Sequence, residues 1–158
     1  MFQTQHSFIK KSRLNAPVEE VFQWHKTPEA VEKLTPPSEN MTILSREGNF
    51  EDDGYQVTFL VKMLNVIPVV WVARHSDYIE NRQFEDQQLK GPFRYWHHTH
   101  LFIPDGDNHC WMEDRVIYEL PMGVLGNLFG GPFVKRKIEH MFDHRHRVLE
   151  TLFNRPIQ

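Results

Sequence analysis

Two histidines stand at alternate positions in the run Trp96-x-His98-x-His100-x-Phe102, with Phe84-x-Asp86-x-Gln88 before them and Asp114-x-Val116-x-Tyr118 after them. Side chains on an extended strand alternate between faces, so each spaced set points one way and brings rings and ionisable groups onto one surface. A sheet face with a purely structural task is apolar toward the core and polar toward water. Imidazole, carboxylate and indole side by side instead suit the wall of a small-molecule cavity, where a few polar groups orient an otherwise apolar ligand.

The turn signal Asp105-Gly106-Asp107-Asn108 predicts the register. A hairpin turn near Asp107 sets His100 opposite Asp114, His98 opposite Val116 and Trp96 opposite Tyr118, and makes Asp86 a neighbour of Trp96 or His98 across the preceding hairpin. Directly opposed side chains lie roughly 5 Å apart at Cβ, within reach of a His to Asp hydrogen bond.

Such a cluster admits three roles. Buried polar groups that satisfy one another lock a hairpin and need no ligand. The same groups can hold the polar end of an apolar ligand. An Asp that fixes a His tautomer and raises its pKa can also serve as an acid/base pair for aldol-type cyclisation or dehydration. His98, His100 and Asp114 are therefore the candidates for catalysis, and the residues alone assign none of them. Two His and a carboxylate can form a facial metal triad. The strand offers no third strong ligand, however, and His140 and His144 sit on a helix without a His-Glu-x-x-His pattern, so neither a metal nor a cofactor is expected.

Arg145 lies in an apolar helical stripe between Phe142 and Leu149, where a cation is costly unless paired. Its partner is expected to be Asp86, Asp114 or a ligand carboxylate, unless its stem packs and the guanidinium reaches the rim. Phe59, Trp71, Phe84, Trp96 and Tyr118 are core or pocket lining according to the volume left between them. The candidate ligand-binding set is these five with Asp86, His98, His100, Asp114, Phe142 and Arg145. Gly123-x-x-Gly126 and Gly130-Gly131-Pro132 lack the Lys and Ser/Thr of a phosphate loop and are expected to be hinge and helix-entry residues, with a turn that could gate a cavity.

The elements that must position these groups follow from periodicity. Residues 6–14 read as a first strand, Asn15-Ala16-Pro17-Val18-Glu19-Glu20 as a helix start, and 28–34 as a second short helix stopped by Pro36-Pro37. Period-two strands are expected at 41–46, 55–63, 69–77, 82–89, 93–103 and 111–119, joined as antiparallel hairpins. A short turn at 123–129 then precedes a helix at 132–153, with Val134, Ile138, Met141, Phe142, Val148, Leu149 and Leu152 on one face and Lys137, His140, His144 and Arg147 on the other. A curved sheet with one apolar concave face needs a cover, and the terminal helix is the long amphipathic element available for it.

Composition bounds the partners. The 158 residues fit one domain, with 40% hydrophobic and 25% charged residues and a net charge of −3, which supplies no electrostatic reason for nucleic-acid binding. The lone Cys110 excludes an internal disulfide or a multi-cysteine metal site and agrees with a cytoplasmic setting. Neither a basic-then-apolar export start nor an apolar run near eighteen residues is present, so no membrane span is expected.

Over essentially its whole length the chain resembles the START-like, birch-pollen-allergen-like helix-grip superfamily (SRPBCC), in particular its bacterial polyketide cyclase/dehydrase and lipid-transport branch. The resemblance rests on Leu34-Thr35-Pro36-Pro37, Gly91-Pro92-Phe93-x-x-Trp96-x-His98-x-His100-x-Phe102, Asp114-x-Val116-x-Tyr118-x-x-Pro121-x-Gly123 and Phe142-x-x-Arg145. His75 departs from it, standing where an apolar side chain is expected on the strand that carries Trp71.

The resemblance implies an α+β helix-grip fold: a strongly curved antiparallel sheet of about seven strands around a long C-terminal helix, with two short helices after the first strand. It further implies a single ligand-binding domain over 1–158 whose cavity binds a lipid, polyketide or similar hydrophobic molecule as carrier or sensor. Catalysis occurs in only some relatives, so a cyclase or dehydratase using the His/Asp pair is the alternative. An interaction protein with a filled core is a third reading.

Overall fold

A computed structural model describes residues 4–154. Residues 1–3, on which part of the expectation of no export start rests, lie outside the described residues. The chain runs β1 (Gln5–Leu14), α1 (Val18–His25), α2 (Ala30–Leu34), a 3-10 turn (Pro37–Glu39), β2 (Thr42–Glu47), β3 (Gln56–Met63), β4 (Ile67–Ile79), β5 (Gln83–Lys90), β6 (Tyr95–Pro104), β7 (Cys110–Glu119) and α3 (Gly123–Phe153). The strands form one antiparallel sheet in the order β1-β7-β6-β5-β4-β3-β2. This is the α+β helix-grip arrangement that the family resemblance implies.

Local sequence explains the boundaries. Pro17 precedes α1, and Glu19 and Glu20 in its first turn suit the positive helix end. α2 stops at Leu34 because Thr35 is extended ahead of Pro36. The sheet bends at register shifts between β4 and β5 near Val72/Ala73 and Ser76/Ile79, and between β2 and β3 at Ile43/Ser45, since a bulge adds local twist to a strand pair.

One expectation is corrected. Residues 123–129 are not a turn separated from the last helix; α3 begins at Gly123 and contains Pro132. A proline inside a helix removes one donor to the carbonyl four residues back. Here that residue is Leu128, whose 69% exposure leaves water free to replace the lost partner. Gly130 and Gly131 lie in the helix with open space around their Cα atoms.

Two apolar clusters hold sheet and helices together. Val21, Phe22, Phe84, Phe102, Met112 and Leu149 form one, and Trp96, Val116, Tyr118, Leu120, Ile138 and Phe142 the other. On α3 the buried residues Ile138, Phe142, His146 and Leu149 recur at four, four and three, the stripe of a helix packed along one face. Between the two clusters β6 and β7 place His98, His100 and Asp114 on the same inward face as Trp96, Phe102, Met112 and Val116.

Candidate functional site

The predicted register is the observed one: His100 pairs with Asp114, His98 with Val116, Trp96 with Tyr118, and Asp86 with His98. His75 lies opposite Asp86 on the next strand. β4, β5, β6 and β7 therefore converge five titratable side chains on one concave patch, and α3 adds Arg145 and His146 from above.

Asp114 is the hub, with no exposure. Its Oδ1 accepts from His98 Nε2 at 2.7 Å and its Oδ2 from His146 Nε2 at 2.8 Å. Ser12 Oγ lies 2.8 Å from His146 Nδ1 and can donate to it. Arg145 Nε stands 3.3 Å from Asp114 Oδ2, an ion-pair distance without hydrogen-bond alignment, because the buried Nε has no hydrogen-bond partner. Arg145 Nη2 instead donates to His100 Nδ1 at 3.1 Å, and His100 Nε2 donates to Asp86 Oδ2 at 2.7 Å. The His98 and His100 rings are 3.7 Å apart, and His100 stacks on Phe84 at 4.1 Å.

Electrostatics follows from this packing. Burial opposes the charge on Asp114, but the Arg145 guanidinium and the imidazoles of His100, His146 and His98 packed around it hold its carboxyl well below the ordinary range. Burial opposes Asp86 likewise and is outweighed by His98 and His100, so it too stays ionised. Burial lowers His98 to about 4 and His75 to about 4. At neutral pH the patch holds two carboxylates, one guanidinium, and neutral rings at His75 and His98.

Below the patch, between sheet and α3, is a cavity of about 560 Å³. Phe59, Trp71, Phe84, Asp86, Trp96, His98, His100, Phe142 and Arg145 line it, with Val57, Val61, Val69, Phe93 and Met141. Of the candidate ligand-binding residues, Asp114 and Tyr118 are not in the lining. Asp114 sits one layer behind the imidazoles, and Tyr118 is buried against His6 and Phe93. Leu64, Met122, Phe129 and Phe133 line the cavity while being 61%, 76%, 81% and 55% exposed, so the cavity meets solvent between the β3–β4 turn and the start of α3.

Sequence reasoning missed three contributors. Lys137, expected on the wet face, also lines the cavity and pairs with buried Glu39 at 3.1 Å. His146 is buried at 1% exposure, and its signal was its spacing of four from Phe142 and three from Leu149. His25 is buried at the end of α1, lines the cavity and is lowered to about 3 by burial and by Arg145.

Solved structures share this fold. A START superfamily protein from Mycobacterium smegmatis aligns at a TM-score of 0.69 and 19% identity, covering 94% of this chain and 97% of that one. The ZhuI aromatase/cyclase from Streptomyces sp. R1128 aligns at 0.71 and 15% identity, covering 93% of each chain. A norcoclaurine synthase from Thalictrum flavum, solved with dopamine and hydroxybenzaldehyde, aligns at 0.68 and 11% identity over 98% of this chain and 90% of that one. A search of curated proteins by sequence returns no match. The fold is thus that of the START superfamily. A family model described as a domain of unknown function, DUF8410, matches residues 12–153, and the chain belongs to that family.

Proposed function

We propose that the chain is a cytoplasmic carrier or sensor, residues 1–158 acting as one domain, that holds a small hydrophobic molecule between sheet and α3. The observation that carries this is the cavity of about 560 Å³ with an apolar wall and one polar patch, a size and composition usual for sites that take drug-sized ligands. Affinity comes from apolar ligand surface removed from water, at roughly 25 cal/mol per Å² before ordering costs. Asp86, His98, His100 and Arg145 face the ligand's polar end, and Asp114 positions the imidazoles from behind.

A cyclase or dehydratase would use the same groups, and the likeness in fold to an aromatase/cyclase keeps that reading in view. A general base works best with a pKa near the operating pH. At about 4, His98 is mostly neutral but a weak base, which favours binding over turnover. A filled-core interaction protein is disfavoured by the cavity volume.

Native mass spectrometry of freshly purified protein tests the proposal, followed by thermal-shift screening against fatty acids, fatty alcohols and aromatic polyketides. A co-purifying apolar molecule, or a melting-point rise with one ligand class, is the expected outcome. A clean protein mass together with no shift across the screen would overturn it.

A further inference from the structure

We propose that Asp86, His98 and His100 bind a single divalent transition-metal ion, of the zinc and iron(II) class, at the polar patch of the cavity. This goes beyond the carrier reading and stands whether or not an organic ligand is bound. Each of the three residues offers one ligand atom, and the three atoms lie within 4.8 Å of one another. Ligands about 2.0–2.2 Å from an ion sit roughly 3–4 Å from each other. His98 Nδ1 is already 3.6 Å from Asp86 Oδ2. The His100 Nε2 to Asp86 contact of 2.7 Å is a hydrogen bond that an inserted ion replaces, opening by less than about an ångström.

Tautomers argue for the same place. His98 gives its Nε2–H to Asp114, so in the neutral ring Nδ1 carries a lone pair. That lone pair faces the Asp86 carboxylate, two acceptors across 3.6 Å with no proton between them. A cation between them removes the conflict. Asp114 then occupies the outer shell: Oδ1 takes the Nε2–H of His98 at 2.7 Å and lies 3.4 Å from His100 Nδ1, the carboxylate–histidine–metal arrangement that fixes a ligand ring and strengthens its basicity. On binding, the His100 proton moves from Nε2 to Nδ1 and turns toward Asp114, leaving the Arg145 donor.

Charge gives an independent reason. Among the described residues the ion-pair partners of Asp86 are His98 and His100, with no Lys or Arg within pairing distance. Asp86, at 18% side-chain exposure, is held ionised by imidazoles alone, so a divalent ion would meet a carboxylate with no full cation already paired to it. One strand alone supplies two ligands; the third comes from β5 through the pairing of Asp86 with His98. Two histidines and one carboxylate leave coordination positions open, and all three residues line the cavity.

The test uses untagged full-length protein, stripped with a chelator and titrated with Co²⁺ and Zn²⁺ at neutral pH without organic ligand. One equivalent of Co²⁺ is expected to give visible d–d absorption that Zn²⁺ displaces, and Zn²⁺ to raise the melting temperature. Asp86→Asn keeps the side-chain shape and is expected to abolish the one-equivalent signal, as is His98→Ala. Asp114→Asn is expected to weaken binding about 10–100-fold, as for loss of an outer-shell partner. His140→Ala with His144→Ala is expected to change nothing. Should His98→Ala fail to fold, Asp86→Asn decides, with circular dichroism confirming its fold. No saturable binding to the wild type, unchanged binding in Asp86→Asn, or binding lost with the His140 and His144 changes would each overturn the proposal.

Discussion

At the residue scale, burial of neutral imidazoles makes the fold sensitive to acid. His25, His75 and His98 are 6%, 9% and 5% exposed, and burial, the largest cause in each, lowers them from 6.5 to about 3, about 4 and about 4. The unfolded chain takes up these protons first as pH falls. Stability is therefore complete above pH 6.5 and is lost on the way down to about 4, by about 1.4 kcal/mol per pH unit for each imidazole within that window. Asp86 and Asp114, held below the ordinary carboxylate range, add their own loss only at still lower pH. Urea-denaturation midpoints measured across the window should fall steeply; a flat profile would mean that these rings reach water in the native state. The His98–His100–Asp114 patch was legible in sequence because the Asp105–Asn108 turn and period-two alternation fix a register. The spacing of His146 on α3 signalled its burial but not its partners, because its contacts with Ser12 and Asp114 depend on how the helix is seated against β1 and β7.

At the element scale, the strands and the two short helices were readable to within about two residues, since hairpin turns and prolines punctuate the chain at each end. The start of α3 was not. Gly130-Gly131-Pro132 carries a local break signal, whereas the observed helix continues through it, the freed carbonyl lying on an exposed flank. This corrects the expected hinge and makes the glycines separable by experiment. At Gly130 and Gly131 an added Cβ meets nothing within 4 Å, so Gly130→Ala and Gly131→Ala are expected to stabilise the protein by about 0.5–1 kcal/mol each. At Gly126 the added atom would stand 2.0 Å from the Pro121 carbonyl oxygen, a backbone atom, so Gly126→Ala is expected to destabilise by about 1–3 kcal/mol. Thermal denaturation of the three variants checks the contrast. Equal effects at all three positions would show that 123–131 is not continuous helix seated on Pro121.

At the scale of the whole molecule, the sheet is built so that its inward face changes character along its width. Near β6 and β7 apolar clusters enclose the polar patch, whereas β3 and β4 contribute Val57, Phe59, Trp71 and Ala73 to an unfilled volume. No helix among the described residues is long and apolar enough to cross a membrane, and Phe129 and Phe133 of α3, both largely exposed, stand at the cavity mouth. If that volume is the binding site, shrinking it should remove binding without removing the fold. Ala73 is 7% exposed, lines the cavity and pairs with Val57 and Gln88, so a larger side chain there projects into the void rather than into a packed neighbour. Ala73→Phe is expected to lower affinity for the apolar dye ANS at least tenfold, about 1.4 kcal/mol, with the melting temperature nearly unchanged. Ile9, 62% exposed on the opposite face of β1, provides the control, since Ile9→Phe adds a ring to the surface and should leave the dye titration as it was. Undiminished dye binding in a folded Ala73→Phe protein would place the ligand outside the cavity, because the ring and the ligand cannot share that volume.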